Sequence, residues 1–214
     1  MMSNTEPDYI LRNLFEFKPS KGDLKRLEII KATIECLATI GFDKTTYESI
    51  AKIVGTRRAH INYYFGDKHE ILMACIRYIV SNYQQVSLQH IEQARVGRDM
   101  LINFIEGPYI WAKKNPQELS VMLLFYYLCT YSEDYQKLHD KIRTGGAERL
   151  MYILHEKMSY SKKNARLLSK VIQNSMSGFI LDAATTSLND LKKAEDQNKK
   201  FILKLIDHYK EKEI

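Results

Sequence analysis

Residues 45–68, TTYESIAKIVGTRRAHINYYFGDK, form the stretch that decides the fold of this chain. Thr45 is followed three residues later by Glu48, the capping-box pattern that opens a helix. Gly55 is placed to end that helix, because glycine readily adopts the left-handed conformation of a C-cap. A second short helix should then run from about residue 56 or 57 to Tyr64. Two short helices joined at a glycine are typical of a helix-turn-helix.

The side chains around the predicted turn support this interpretation. Ala51 is small enough to let the two helices approach closely, and Ile61 would fill the angle between them. The outward face of the second helix carries Arg57, Arg58, His60 and Tyr63. A basic face that is rich in hydrogen-bond donors is what a reader of the DNA major groove needs. The alternative is an ordinary helical hairpin with basic residues on a solvated face.

The run of residues 55–65, GTRRAHINYYF, followed by Gly66, Asp67 and Lys68, resembles the signature of the TetR family of one-component transcriptional regulators. The positions that match are Ala51, Gly55, Ile61, Tyr64, Phe65 and Lys68. Asn62 departs from the family pattern, which usually has an aromatic residue there, and Arg57 stands where a Ser cap is common. Thr56 is therefore predicted to cap the second helix. The resemblance covers residues 24–72.

The resemblance implies an all-α protein with an N-terminal three-helix helix-turn-helix DNA-binding domain and a C-terminal helical domain for ligand binding and dimerisation. We expect residues 1–22 to form an N-terminal extension, residues 23–75 the DNA-binding domain and residues 76–214 the effector-binding and dimerisation domain. The resemblance also implies that Lys68 contacts the DNA backbone. Lys68 lies at the start of a predicted helix, and the N terminus of a helix attracts phosphate. For Lys44, a phosphate contact and a solvated charge are both open. The predicted DNA contacts are Lys44, Thr45, Thr46, Thr56, Arg57, Arg58, His60, Tyr63, Tyr64 and Lys68.

Hydrophobic periodicity predicts helices along the rest of the chain. Apolar residues recur at intervals of three and four between residues 27 and 37, so a helix from Asp23 onward should brace the helix-turn-helix. A capping box at Asp67 and Glu70 should open another helix that continues towards Gly97. Five more helices are predicted at residues 98–114, 117–131, 133–158, 161–187 and 189–212. Within them Pro108 predicts a kink, Gly145 and Gly146 a weak point or a break, and the apolar segment 121–131 a buried central helix.

The composition of the chain bounds its function. Its 214 residues carry a formal net charge of +6, which suits an acidic partner such as nucleic acid. Cys36, Cys75 and Cys129 are isolated in sequence, so neither a zinc site nor a disulfide framework is predicted. No catalytic motif is found, and we expect no enzymatic activity, no metal and no cofactor. The N terminus lacks a signal-peptide pattern and the longest apolar run, residues 121–129, is too short to span a membrane, so we expect a cytoplasmic protein.

Aromatic residues cluster in the second half of the chain, and two interpretations stay open. At helical spacing these residues serve core packing. In the family that the chain resembles, this region also holds a small-molecule pocket, which would be mostly apolar with a few polar groups. Asp182 lies on an otherwise apolar helix face, and the alternative for it is a surface position. The predicted ligand contacts are Trp111, Met122, Phe125, Tyr126, Cys129, Asn174, Phe179 and Asp182.

The last two predicted helices, residues 161–212, resemble the pair through which the family forms homodimers. Small residues around Gly178 would allow close helix approach, and Leu205 would provide bulk on the partner helix. The alternative is that both helices only cover the core of the monomer. We predict a dimeric DNA-binding regulator that represses from a palindromic operator and is released by a small-molecule effector. The alternatives are a helical adaptor or scaffold that binds a protein partner through the basic N-terminal face, and a helical enzyme without a recognisable motif.

Overall fold

The computed structural model describes residues 20–187 and 190–211. Within this part of the chain every regular element is a helix, which confirms the predicted all-α fold. The α-helices of these residues are α1 (Lys21–Ile40), α2 (Tyr47–Val54), α3 (Arg58–Tyr64), α4 (Lys68–Glu92), α5 (Gly97–Lys114), α6 (Pro116–Leu128), α7 (Glu133–Tyr152), α8 (Lys162–Thr186) and α9 (Leu191–Glu211). A π-helical turn, Ile153–Lys157, continues the C-terminal end of α7. The predicted N-terminal extension lies outside the described residues, except for residues 20–22.

The helix that was predicted to brace the helix-turn-helix begins earlier than Asp23. Ser20 caps it, because the Ser20 hydroxyl oxygen accepts from the Asp23 N–H at 3.2 Å and the Asp23 carboxylate accepts from the Ser20 N–H at 2.8 Å. The helix ends at Gly41, whose φ of 81° lies in the region that favours glycine. Its apolar face is buried as the periodicity predicted, with Ile30 and Ile34 at most 4% exposed.

The chain packs as two compact units. The first contains the described residues up to Gln85 together with residues 117–127, and the second contains residues 86–116 and those from Leu128 onward. These units do not coincide with the predicted domains 23–75 and 76–214. The reason is that α4 runs unbroken past residue 75, and most of α6 belongs to the first unit. The functional division of the chain stays a prediction.

The core of the first unit draws aliphatic side chains from α2, α3 and α4. Ile50 and Ala51 of α2, Ile61 of α3 and Ile71 of α4 are each at most 2% exposed. Full burial of such a large aliphatic side chain contributes about 1.5–3 kcal/mol. Helices as short as α2 and α3 are marginal in isolation. Packing on the neighbouring helices, rather than intrinsic helix propensity, therefore stabilises the helix-turn-helix.

A chain of polar side chains runs through the core of the second unit. The Ser175 hydroxyl of α8 donates to Asn198 Oδ1 of α9 at 2.6 Å, and Asn198 Nδ2 donates to the Tyr109 hydroxyl of α5 at 2.9 Å. Asn198 and Tyr109 are both 0% exposed, so these hydrogen bonds satisfy groups that water does not reach. Burial raises the pKa of Tyr109 to about 12, which keeps its hydroxyl protonated at neutral pH. Specific hydrogen bonds thus join α5, α8 and α9.

Two features of the C-terminal helices differ from the predictions, since the structure shows no break in one helix and incomplete burial of another. α7 runs without a break through Gly145 and Gly146. Gly146 instead makes room for α8, since a Cβ there would lie 2.4 Å from Nε2 of Gln173, which donates to the Arg143 carbonyl at 3.0 Å. α6 is not buried all round, because Tyr127 is 61% exposed. Both differences come from judging a helix by its own sequence without the side chains that pack against it.

Candidate nucleic-acid interface

The start of α2 differs from the predicted capping box by one residue. Thr46, not Thr45, is the N-cap, and its partner is Ser49 rather than Glu48. The Thr46 hydroxyl oxygen accepts from the Ser49 N–H at 3.2 Å, and the Ser49 hydroxyl oxygen accepts from the Thr46 N–H at 2.8 Å. Thr45 is 3% exposed and donates its hydroxyl to the Gly41 carbonyl at 2.7 Å. Its side chain is therefore not available for the predicted DNA contact, whereas Thr46 is exposed.

Gly55 makes the turn between α2 and α3, as predicted. Its φ of 68° and ψ of 36° are left-handed, a conformation that is costly for residues with a Cβ. The Thr56 N–H donates to the Ala51 carbonyl at 2.9 Å, across the turn. The prediction that Thr56 caps α3 is wrong, because Arg57 is the N-cap and makes no side-chain capping bond. The Thr56 hydroxyl oxygen lies 2.9 Å from Nδ1 of His60 instead.

The solvent-facing side of α3 is the principal candidate surface for DNA. Tyr63 is 82% exposed, and its ring meets that of half-buried Tyr64 edge to face at 5.2 Å. Asn62, which departs from the TetR pattern, is exposed as well. A side-chain amide can bond two neighbouring groups of an adenine edge, so Asn62 joins the candidate contacts. The other exposed candidates on and beside α3 are Arg57, Arg58 and His60.

Arg26 of α1 holds the C-terminal end of α3. Its Nη1 donates to the Tyr64 carbonyl at 2.6 Å, and its Nη2 donates to Glu70 Oε1 at 2.7 Å. Its guanidinium carbon also lies 4.2 Å from the centroid of the buried Phe65 ring, within cation–π range. The other carboxylate oxygen of Glu70 accepts from the Gly66 N–H at 2.8 Å. We call the set of Arg26, Tyr64, Phe65, Gly66 and Glu70 the Arg26 clamp.

The Arg26 clamp replaces half of the capping box predicted at the start of α4. Asp67 Oδ1 accepts from the Glu70 N–H at 2.7 Å as predicted, but the Glu70 carboxylate bonds Arg26 and the Gly66 N–H. The hydrogen bond from Arg26 and then that from Gly66 lower the pKa of Glu70, so its carboxylate is ionised at neutral pH. Local sequence patterns do not reveal the clamp, because Arg26 is 38 residues from Tyr64 and 44 from Glu70.

Tyr47 of α2 makes a second tie to the end of α3. Its hydroxyl donates to the Phe65 carbonyl at 2.9 Å. Burial raises the pKa of Tyr47, and the charges of Asp67 and Glu70 raise it further, so the phenol remains a hydrogen-bond donor. The residue that follows α3 is therefore held from α2 by Tyr47 as well as from α1 by Arg26.

Lys68 makes an internal contact at the start of α4. Its ammonium group donates to the Phe42 carbonyl at 2.7 Å and lies 3.8 Å from the centroid of the Phe42 ring. Burial lowers the pKa of Lys68, and the charge of Asp43 opposes that shift. The contact anchors the loop between α1 and α2 to α4. Since an ammonium group has three N–H donors, the phosphate contact of Lys68 stays a prediction alongside this anchoring role.

The predicted ligand contacts are spread over both compact units. Phe125 is 0% and Trp111 5% exposed, whereas Asn174 and Asp182 lie on the surface. The exposure of Asp182 agrees with the surface alternative for that residue. The half-buried members are Met122, Tyr126, Cys129 and Phe179. That these residues share one pocket stays a prediction.

The described residues contain neither a cluster of metal-ligating side chains nor a membrane-spanning helix. In residues 20–187 and 190–211, no group of three or more His, Cys, Asp or Glu side chains is arranged to hold a metal ion. None of the helices formed by these residues is both long and apolar enough to cross a membrane. Cys36 and Cys75 are buried free thiols, and the free thiol of Cys129 is half-buried.

The helix-turn-helix matches a known protein family, and the chain also matches curated relatives over about half of its length. The family model described as bacterial regulatory proteins, tetR family, matches residues 29–75. The HTH-type transcriptional regulator BetI of Stenotrophomonas maltophilia is 29% identical over 111 residues, which are 50% of this chain and 57% of that protein. BetI of Yersinia pestis strain Pestoides F is 26% identical over 117 residues, 54% of this chain and 59% of that protein. The chain thus spans a little over half the length of the curated relatives that it matches.

Solved structures share the fold over most of the chain. A transcriptional regulator from Pseudomonas aeruginosa PAO1 has a TM-score of 0.74 at 19% identity, covering 92% of this chain and 95% of that one. A regulator from Saccharomonospora viridis, in complex with choline, has a TM-score of 0.74 at 18% identity, covering 86% and 96%. The fatty acid degradation regulator FadR from Bacillus halodurans has a TM-score of 0.74 at 16% identity, covering 87% and 97%. At these identities the likeness concerns the fold alone.

Proposed function

The chain belongs to the TetR family of transcriptional regulators, and on that premise we propose that it binds an operator on double-stranded DNA as a homodimer, represses transcription there and is released by a small molecule. The observation that carries the DNA-binding proposal is the exposed face of α3 held by the Arg26 clamp. A helix fixed at its C-terminal end presents its side chains to the major groove in a defined register, which sequence-specific binding requires.

Selection of bound DNA from a random pool tests the proposal. A dimer that is symmetric about a two-fold axis should enrich a palindrome whose half-site centres are about 34–36 Å apart, or a multiple of that distance. The selection is repeated with cell metabolites added, which should lower the yield if an effector is present. A pool that remains random after repeated rounds would contradict DNA recognition and would favour the adaptor alternative.

Arg58→Ala is expected to relax one base position in each half-site. Arg58 is exposed at the first residue of α3, where a guanidinium can bond a guanine edge at two points. Loss of such a contact costs about 1–3 kcal/mol of discrimination at that position. The measurement is binding to a set of operators with single base changes.

Lys68→Ala is the comparison for Arg58→Ala. If the two remaining donors of its ammonium contact phosphate, the variant weakens binding to all sequences alike and flattens the dependence on salt. The melting temperature of each variant is recorded, because Lys68 also anchors the Phe42 loop. A changed base preference in Lys68→Ala, or an equal loss of affinity for all sequences in Arg58→Ala, would contradict the assignment of base reading to Arg58 and phosphate contact to Lys68.

The surface of α8 and α9 supports the proposed homodimer. Leu167 of α8 and Phe201 of α9 are 46% and 48% exposed, although both are apolar. Gly178 of α8 is exposed, and an added Cβ would meet nothing within 4 Å, so this part of the helix is open to close approach. Two copies of such a helix pair can pack as a four-helix bundle about a two-fold axis. In that arrangement the apolar side chains leave water.

Trp111 offers a report on effector binding without any label. It is the single tryptophan of the chain, is 5% exposed, and lies three residues after Pro108, which α5 carries within one continuous helix. A compound that releases DNA must bind one state of the protein more tightly than the other. We expect it to change Trp111 emission over the concentrations that release the operator. Choline is the first compound to test, since the Saccharomonospora viridis structure contains it.

Trp111 emission, measured while the compound is titrated into the protein, tests whether the effector site lies near this side chain. A compound without effect on DNA binding serves as the control and should leave the emission unchanged. Operator release by a compound that demonstrably binds the protein, with no change in Trp111 emission, would place the effector site away from this side chain.

A further inference from the structure

A cavity of about 540 Å³ lies within the first unit, lined by residues of α1, α2, the first turns of α3 and α4, and the loops that precede α2 and α4. Its volume is in the range of about 300–1,000 Å³ that small-molecule sites occupy. Its floor is apolar, because Ile50, Ile71 and Leu72 line it and are at most 4% exposed. The cavity is distinct from the predicted ligand contacts of the C-terminal helices.

Charged side chains of both signs accompany the apolar floor. The carboxylates that line the cavity are Asp43, Glu48 and Asp67, and the cations are Arg58 and Lys68. All except half-buried Lys68 are exposed, which places these charges towards the mouth of the cavity. In the part of the chain that the structure describes, neither Glu48 nor Arg58 has a hydrogen-bonded or ion-paired side-chain partner. Both groups are therefore available to a ligand.

The mixed charge of the lining selects the kind of ligand. An anion such as a DNA phosphate would meet three carboxylates, and like charges repel. A simple cation would meet Arg58, Lys68 and the positive N-terminal ends of α2 and α4. A zwitterion avoids both conflicts, because its ammonium group can pair with Glu48 while its carboxylate accepts two hydrogen bonds from the Arg58 guanidinium.

We propose that this cavity binds a small zwitterion with an apolar side chain, the chemistry of an apolar amino acid. The ammonium group lies at Glu48, the carboxylate at Arg58 and the apolar side chain over Ile50 and Leu72. An occupant competes directly with DNA, because Arg58 and Thr46 both line the cavity and are both proposed DNA contacts. This competition rests on the proposed function, whereas the binding itself does not.

L-Phenylalanine is the probe for this site. Its analogue without a carboxylate is 2-phenylethylamine, and its analogue without an ammonium group is 3-phenylpropionate. Calorimetry on the full chain without DNA should show that the amino acid binds at least about tenfold more tightly than either analogue. Arg58→Gln should remove the advantage over 2-phenylethylamine, and Glu48→Gln should remove the advantage over 3-phenylpropionate. Both replacements keep an exposed polar side chain, and circular dichroism checks that each variant is folded.

Glu35→Gln is the matched control, because Glu35 is an exposed carboxylate of α1 that does not line the cavity. It should bind L-phenylalanine as the wild type does. The proposal is overturned if L-phenylalanine does not bind, if all three probes bind alike, or if both cavity variants keep the wild-type preference. Displacement of the selected operator by L-phenylalanine is measured separately. Binding without displacement would overturn the competition, and a failure to find an operator would leave the calorimetric result intact.

Discussion

Leu205→Asp is expected to convert the proposed dimer into a monomer and to remove tight operator binding. Leu205 is half-buried in the single chain. Phe201 lies four residues earlier on the same side of α9 and is 48% exposed. In an isologous dimer each copy would bring one unpaired aspartate into the apolar contact. At about 2 kcal/mol or more for each buried charge, the dissociation constant of the dimer should rise at least about a thousandfold.

Sedimentation velocity at micromolar concentration measures this change, and binding to a full palindrome and to a half-site measures its consequence. Lys200→Asp is the matched control, because Lys200 is exposed on the same helix, five residues away and so about 140° around its axis. This control should remain dimeric. A wild-type protein that sediments as a monomer, or a Leu205→Asp variant that stays dimeric, would contradict the proposed interface.

Arg26→Ala is expected to lower both the stability of the first unit and the affinity for the operator. The change leaves the Tyr64 carbonyl and one Glu70 oxygen without their donor and removes the cation–π contact with Phe65. Loss of a hydrogen bond to a charged group costs about 1.5–3 kcal/mol, and the partial exposure of both side chains favours the lower end. Because binding must then order the loosened end of α3 in each copy of the dimer, at about 1.5 kcal/mol a copy, operator affinity should fall by at least about a hundredfold.

Denaturant unfolding and operator binding measure the two effects of Arg26→Ala separately. Arg26→Lys should recover only part of each, since an ammonium group keeps the charge but lacks the planar fork that reaches Tyr64 and Glu70 together. Lys25→Ala is the control, because the Lys25–Glu28 pair, 2.9 Å apart, is a surface ion pair worth about 1 kcal/mol or less. If Arg26→Ala is destabilised while its operator affinity stays within about threefold of the wild type, the clamp does not position α3.

The helix-turn-helix could be predicted from the sequence because its determinants are local. Gly55, Ala51 and Ile61 lie within a span of eleven residues, and each is constrained by the geometry of one turn. Their positions in the structure, with a left-handed Gly55 and fully buried Ile61, confirm that part of the prediction. The family resemblance rests on the same stretch, so it does not depend on knowing the tertiary contacts.

Two details of this region could not be predicted correctly from a short sequence pattern. The capping pattern selected Thr45, and this prediction is wrong because the Thr45 side chain is buried and Thr46 is the N-cap. The burial of Thr45 against the Gly41 carbonyl leaves Thr46 as the cap. The Arg26 clamp could not be found locally either, because it joins α1 to residues 38 and 44 positions away. The DNA and ligand contacts remain predictions, because they depend on a second molecule as well as on the chain itself.

The polar chain from Ser175 through Asn198 to Tyr109 constrains how this protein can diverge over generations. Asn198 both accepts and donates, so its loss would leave the hydroxyl groups at both ends without these partners. A substitution at one position alone costs about 1–3 kcal/mol for each buried polar group left unsatisfied, whereas replacing the partners together by apolar side chains of matching shape is close to neutral. Descendants of this sequence should therefore keep all three residues or lose them in concert.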